Sequence, residues 1–382
     1  MKKINIAIIA TILIAIHVFL FLHLTKSSKK TAPTRTCPAR PSVSTPQAPT
    51  APSPSSPTIT TDSPIGFDVP EVIKPIPTPK KVEQGAPPSV GTKKQEKIAV
   101  PGTKDGFLRR DLPPHRTTKV YSKLVETPYR GAIVVNAHTG RILYESGAFK
   151  YAYPASITKL MTFLLVLEEL QKGRIHLTDS VRITPEVAKI GGSQIWLDPR
   201  ESMTVEDLLY AMVVHSANDA AYALALYVGG TRDAFVQRMN QKARELGMSA
   251  TVYHSPHGLP PEKGKQPDIS TPYDIALLSM ALLRQPKALH YTSTELKYIR
   301  NGKTMLATRN KLARKVDGYL GCDGLKTGYH RCGGWSISVT ARHHGDRVLV
   351  VILGAPNKKT RNDQARKLLD RGFAEIEKEE KK

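Results

Sequence analysis

The chain has 382 residues, room for two domains by length, with 56 Lys and Arg against 33 Asp and Glu and a formal charge of +23. The basic excess is spread along the chain and no RNA- or DNA-binding motif accompanies it, so a nucleic-acid partner is not expected. Three cysteines are too few for a disulfide framework.

Residues 1–3 read as a short cytoplasmic N-terminus. Residues 4–24 form a nearly continuous apolar run behind Lys2 and Lys3, about 20 residues and long enough to cross a bilayer as a helix. No small-residue cleavage site follows it, so it reads as an uncleaved signal anchor into the cytoplasmic membrane. Residues 25–116 are dominated by Pro, Ser, Thr and Ala, as in Thr45-Pro-Gln-Ala-Pro-Thr-Ala-Pro52. Such a stretch lacks the large apolar side chains a core needs and reads as a disordered tether. Its ends would lie on the order of 50 Å apart. Cys37 falls in this tether and reads as an unpaired thiol, while Cys322 and Cys332 bracket a strand farther on, where the sequence leaves open whether they stay unpaired or bridge each other across a hairpin.

Residues 117–382 carry the pattern of one folded domain. Two short strands, 131–137 and 141–145, turn at His138-Thr-Gly140. A helix over 154–170 is apolar nearly all round, which places it inside a domain. Residues 174–290 read as mostly helical, with capped starts at Thr204, Thr231 and Ser270-Thr-Pro272 and stops at Gly229-Gly230 and Gly247. Strands return after residue 296: a hairpin turning at Asn301-Gly302, then 324–328, 335–342 and 347–353, before a charged helix from about 358 to 377. Strands first and last with helices between predict an α+β domain. One antiparallel sheet is built from both ends of the domain and flanked by helices, with an all-helical lobe inserted.

Three short motifs in order describe a serine acyl-transfer site: Ser156-Ile-Thr-Lys159, Ser216-Ala-Asn218 and Lys326-Thr-Gly328. Ser156 opens the buried helix and Lys159 shares its face one turn on. A serine hydroxyl needs a base, and a lysine serves as one only if burial or a nearby cation lowers its pKa; Lys326 could be that cation. The helix start also offers free backbone N–H groups to a developing oxyanion. Ser216 and Asn218 fall between two helices, where a hydroxyl could relay a proton and an amide could grip a peptide carbonyl. Lys326 and Thr327 lie on an edge strand suited to pairing with a peptide and holding a carboxylate, with Gly328 leaving room for it. His343-His344 reads as a solvent-facing turn and His254 and His257 as loop residues without a third ligand, so neither a metal nor a cofactor is expected.

The chain resembles the serine-type D-alanyl-D-alanine carboxypeptidases, low-molecular-mass penicillin-binding proteins of peptidase family S11, over roughly residues 117–378. Beyond the triple, the resemblance rests on Tyr153-Pro-Ala155, Met239-Asn-Gln-Lys-Ala-Arg-Glu-Leu-Gly-Met248, Ser255-Pro-His-Gly-Leu259, Thr308-Arg-Asn-Lys-Leu312 and Asp323-Gly-Leu-Lys-Thr-Gly-Tyr329. It implies the penicillin-binding protein and β-lactamase-like transpeptidase fold. It also implies Ser156 as acylated nucleophile, Lys159 as its proton acceptor, and Ser216 and Asn218 for proton relay and substrate binding. Lys326 and Thr327, helped by Arg309, would hold the terminal carboxylate, and the backbone N–H groups of Ser156 and Tyr329 would form the oxyanion hole. The implied partners are peptidoglycan stem peptides, with β-lactams as covalent inhibitors, and the implied location of the domain is extracytoplasmic, on the periplasmic or wall side.

Two departures stand out: Ala217 replaces the commoner glycine of the middle motif, and His330 follows the Lys-Thr-Gly strand where threonine is frequent. A D,D-endopeptidase of crosslinks would use the same residues. A class A β-lactamase would also need a Glu-x-x-Leu-Asn loop, which is not found, and a non-catalytic β-lactam receptor or wall-binding module would have no use for an intact Ser156, Lys159 and Lys326.

Overall fold

The computed structural model describes residues 121–381. The expected N-terminus, anchor and tether of residues 1–116, with Cys37, lie outside the described residues. Among the described residues no helix is long and apolar enough to cross a membrane.

The predicted N-terminal hairpin is β1 (Gly131–Asn136) and β2 (Ile142–Ser146). A 3-10 turn, Ala155–Thr158, leads into α1 (Lys159–Gln171). The middle of the domain carries β3 (Ser180–Arg182), α2 (Pro185–Ala188), β4 (Ser202–Thr204), α3 (Val205–Val213), α4 (Asn218–Gly229) and α5 (Arg232–Glu245). Next come α6 (Pro272–Leu283), α7 (Ala288–Thr292), β5 (Leu296–Ile299) and β6 (Thr304–Ala307). Three long strands, β7 (Cys322–His330), β8 (Gly334–His343) and β9 (Asp346–Ala355), precede α8 (Lys358–Glu380). The threonine caps act as the sequence implies: Thr204, Thr231 and Thr271 accept from the backbone N–H of Asp207, Ala234 and Asp274.

Both ends of the domain build one sheet in the order β2-β1-β9-β8-β7, antiparallel throughout. The two-residue period of its strands divides the core. Ile133, Val135, Leu349, Val351 and Leu353 join the apolar mass that includes α1 and α6. Ala132, Val134, Val348, Val350 and Ile352 turn to the other face and meet Leu368, Leu369 and Ile376 of α8. That helix sits close: a Cβ on Gly372 would stand 2.5 Å from a methyl of Val348.

The inserted lobe is not all-helical. It holds the two-stranded pair β3–β4, with three residues per strand, too short to carry a readable alternation, while β5–β6 is the hairpin expected at Asn301-Gly302. Cys322 is a free thiol and Cys332 is disulfide-bonded, so the alternative of a bridge between these two is ruled out. His343 is not a plain surface residue either, because its ring stacks between Tyr319 and Phe373.

Candidate active site

The first of the three motifs is shaped by its local helix type. Ser156 and Lys159 lie three residues apart across a 3-10 turn rather than within regular α-helix. Residues i and i+3 eclipse in that geometry, and Lys159 Nζ stands 3.1 Å from Ser156 Oγ. The turn is entered through Ala155 at φ +51°, a left-handed backbone that a non-glycine residue adopts at a cost.

Lys159 is buried at 1% exposure, as an apolar helix requires. Its Nζ also donates to Asn218 Oδ1 at 2.6 Å and to the carbonyl of His257 at 2.7 Å. Burial holds its pKa well below the usual lysine value, and the Lys326 charge lowers it further; Asp268 and Asp219 oppose this. A neutral lysine has two N–H donors and one lone pair. In the neutral form the amide oxygen and the carbonyl would take the two donors, and the lone pair would face Ser156 Oγ.

Asn218 opens α4, and its side chain is spent on architecture: Oδ1 faces Lys159 while Nδ2 donates to the Gly191 carbonyl. Its backbone N–H reaches Ser193 O, and the neighbouring Asp219 carboxylate accepts from the backbone of Ile195 and Leu197. Loop 191–197 is thereby tied to the site. Ser216 is buried at φ +66°, a conformation costing of order 1–3 kcal/mol that the surrounding structure must enforce.

β7 is an edge strand. Lys326, Gly328 and His330 alternate onto one of its faces. A Cβ on Gly328 would stand 2.6 Å from the Pro154 carbonyl and 3.2 Å from the Ile157 nitrogen, so the missing side chain first makes room for the Ser156 turn. Lys326 is buried, and desolvation followed by the charges of Arg309 and Arg361 pulls its pKa down to about 7. Thr327 is buried beside it and Tyr329 is half exposed, its ring stacked on Trp335. Arg309 is held from two sides: its guanidinium contacts the carbonyl and Nε2 of His215, and Asn310 donates to Gly324 O on β7. His330 points behind the site, packed on Tyr121 and Tyr153 and accepting from Gly333 N–H, with its pKa pushed down to about 4 by burial.

Sequence reasoning missed the loop 254–258. His257 contributes through its backbone carbonyl, which no side-chain pattern announces; the run Ser255-Pro-His-Gly-Leu259 was legible only as a family match. Among the described residues no group of acidic, His or Cys side chains could hold a metal ion.

A serine, a buried lysine, an SxN turn and a Lys-Thr-Gly edge strand on this sheet define the class of active-site serine penicillin-recognising proteins. The family model described as D-alanyl-D-alanine carboxypeptidase, Peptidase S11, matches residues 119–357, and the chain belongs to that family. It is 37% identical over 251 residues to the D-alanyl-D-alanine carboxypeptidase DacF of Bacillus subtilis, a match covering 65% of this chain and 63% of that protein. A D-alanyl-D-alanine endopeptidase of Haemophilus influenzae is 31% identical over 226 residues, covering 59% of this chain and 74% of the relative. Penicillin-binding protein D2 of Listeria monocytogenes, solved in its ampicillin-bound form, superposes with a TM-score of 0.58 at 32% identity over 64% of this chain and 97% of that one. The match thus spans less than two thirds of the length of DacF.

Proposed function

We propose that the protein is a serine D-alanyl-D-alanine carboxypeptidase that removes the terminal D-Ala from peptidoglycan stem peptides and is acylated by β-lactams at Ser156. The observation that carries this reading is the threefold coordination of Lys159, which leaves a lone pair of its neutral form toward Ser156 Oγ at 3.1 Å. Oγ attacks the carbonyl carbon of the penultimate D-Ala while its proton passes to Lys159 Nζ. The backbone N–H groups of Ser156 and Tyr329 hold the oxyanion. As the intermediate collapses, the C–N bond breaks and the leaving amine takes a proton relayed through the Ser216 hydroxyl. Water then attacks the ester and gives a proton to Lys159; the C–Oγ bond breaks, Lys159 returns that proton to Ser156 Oγ, and the shortened peptide leaves.

Lys326, Thr327 and Arg309 receive the terminal carboxylate, with Asn218 near the penultimate amide. In this reading residues 4–24 anchor the chain in the cytoplasmic membrane and 25–116 let the domain reach the wall. The test is intact-mass spectrometry of the full chain after fluorescent penicillin, beside Ser156→Ala, with muropeptide products analysed in parallel. One adduct on the wild type, none on the variant, and free D-Ala as product are expected. Cleavage of crosslinks instead would make it an endopeptidase, and no adduct on folded protein would overturn the reading.

A further inference from the structure

Asp268 is a buried carboxylate, 5% exposed, that the mechanism above does not use. Its oxygens face four donors. Oδ1 accepts from the backbone N–H of His254 at 2.6 Å and of Ser255 at 2.9 Å; Oδ2 accepts from Ser255 Oγ at 2.8 Å and Thr158 Oγ1 at 3.1 Å. An ionised carboxylate is acceptor-only with about four lone-pair sites, so this set uses them all. The backbone on the C-terminal side of Asp268 is fixed as well, since Ile269 pairs with Val252 and Ser270 with Ala152.

The four donors come from two pieces of chain that both touch the reacting groups. Thr158 directly precedes Lys159. Ser255 begins the loop whose His257 carbonyl holds Lys159 Nζ at 2.7 Å. Ser255 Oγ in turn accepts from Gly258 N–H at 2.9 Å. Gly258 sits at φ +79°, where a Cβ would stand 1.8 Å from the Ala155 carbonyl. The loop therefore presses on the turn that carries Ser156. One more contact, Thr162 Oγ1 to the Pro256 carbonyl at 2.6 Å, continues the seam along α1.

We propose that Asp268 is a positioning residue for Lys159, clamping loop 254–258 to the Ser156 turn so that the His257 carbonyl aims the lysine lone pair at Ser156, and adding a fixed negative charge behind it. The inference rests on the acyl-transfer reading above. The geometric part follows from the bond pattern: without the carboxylate, two backbone N–H groups and two hydroxyls lose their common acceptor, and the His257 carbonyl is free to drift. A misplacement of about 1 Å at a reacting group costs on the order of 100-fold in rate.

The charge part has a definite sign. The charged groups facing Lys159 are Lys326 from β7, Asp219 from α4 and Asp268 from the segment just before α6. Asp268 itself faces His254 across the loop, and the phenols of Tyr121 and Tyr253. Removing its negative charge leaves Lys159 with weaker proton affinity. The acid limb of acylation, which requires neutral Lys159, then moves to lower pH.

Two variants of the full chain separate the parts. Asp268→Asn keeps the shape and can turn its amide nitrogen toward the two hydroxyls, which reorient to accept. It is expected to acylate with fluorescent penicillin within about threefold of the wild-type maximum, with the acid limb lower by on the order of one pH unit. Asp268→Ala removes the clamp and is expected to acylate about 100-fold more slowly. Because that variant could fail to fold, Thr158→Val serves as a milder cut of one arm, expected to slow acylation several-fold with thermal unfolding still cooperative.

Wild-type rates and an unmoved acid limb in both Asp268 variants would overturn the inference. Equal losses in Asn and Ala without any change in the pH profile would also overturn it, since that is the signature of a merely structural residue. Absence of any Ser156 adduct on the wild type is the separate failure of the acyl-transfer reading itself.

Discussion

Lys159 Nζ lies closer to Asn218 Oδ1, at 2.6 Å, than to Ser156 Oγ, at 3.1 Å. The amide oxygen fixes one lysine hydrogen and so, in the neutral form of the proposed mechanism, sets where the lone pair points. In the proposed reading Asn218 thus orients the base, whatever contact it also makes with substrate.

That relationship can be tested by Asn218→Asp. A carboxylate at this distance raises the proton affinity of Lys159, so the base stays charged to higher pH and the acid limb of penicillin acylation moves up by about 1–3 units. At pH 7 the rate falls, and it recovers as the pH is raised. Stopped-flow acylation across pH 6–10 checks it; a uniform loss at every pH would mean that Asn218 serves substrate binding alone.

Lys326 is expected to trade stability for binding. Its folded pKa of about 7 lies below the unfolded lysine value of 10.5, so the unfolded chain binds the extra proton between these limits. Stability then rises with pH across that window and is lowest, as far as this group is concerned, below pH 7. Lys326→Met should raise the melting temperature at pH 6.5 by a few degrees. The same change should raise KM for a D-Ala-D-Ala peptide at least tenfold, because the buried cation for its carboxylate is gone.

The alkaline side of the binding profile carries the same group. Above about pH 7 free Lys326 loses its proton, and a bound carboxylate restores it. Peptide binding should thus take up close to one proton near pH 8, measurable by calorimetry in buffers of different ionisation enthalpy. No uptake would show that Arg309 alone neutralises the carboxylate.

His330 predicts an acid-stability slope with no effect on catalysis at neutral pH. Its folded pKa of about 4 lies below the unfolded value of 6.5, so the stability from keeping it neutral is complete above pH 6.5 and is lost as pH falls toward 4. The loss is on the order of 3 kcal/mol. Replacing it by Gln should flatten urea-melt stability between pH 6.5 and 4 while leaving acylation at pH 7 within about twofold.

Gly258→Ala should destabilise more than a glycine in an open turn. The new methyl meets the Ala155 carbonyl at 1.8 Å, and the backbone is left-handed. A loss above about 2 kcal/mol is expected, together with reduced acylation. Gly264→Ala, also left-handed but with open space around its Cβ, provides the control.

Much of the fold was legible because its signals are local. The all-apolar turns of α1, the threonine caps of α3, α5 and α6, and the short apolar runs of β1 and β9 each follow from nearest neighbours along the chain. The Ser-x-x-Lys and Lys-Thr-Gly motifs were readable for the same reason, each being contained in a few consecutive residues. Short strands such as β3 and β4 were not, because three residues pair only when a partner is already in place.

The sequence by itself determined which chemistry is present: a serine with a lysine one turn on, on a helix too apolar to leave that lysine in water. The tertiary structure decided how the lysine is held. Its second acceptor comes from 59 residues away and its third, a backbone carbonyl, from 98 residues away. Backbone carbonyls carry no residue identity, and buried carboxylates such as Asp268 gain their meaning only from the donors folded around them. Contacts between distant segments depend on packing, and packing is a property of the whole domain.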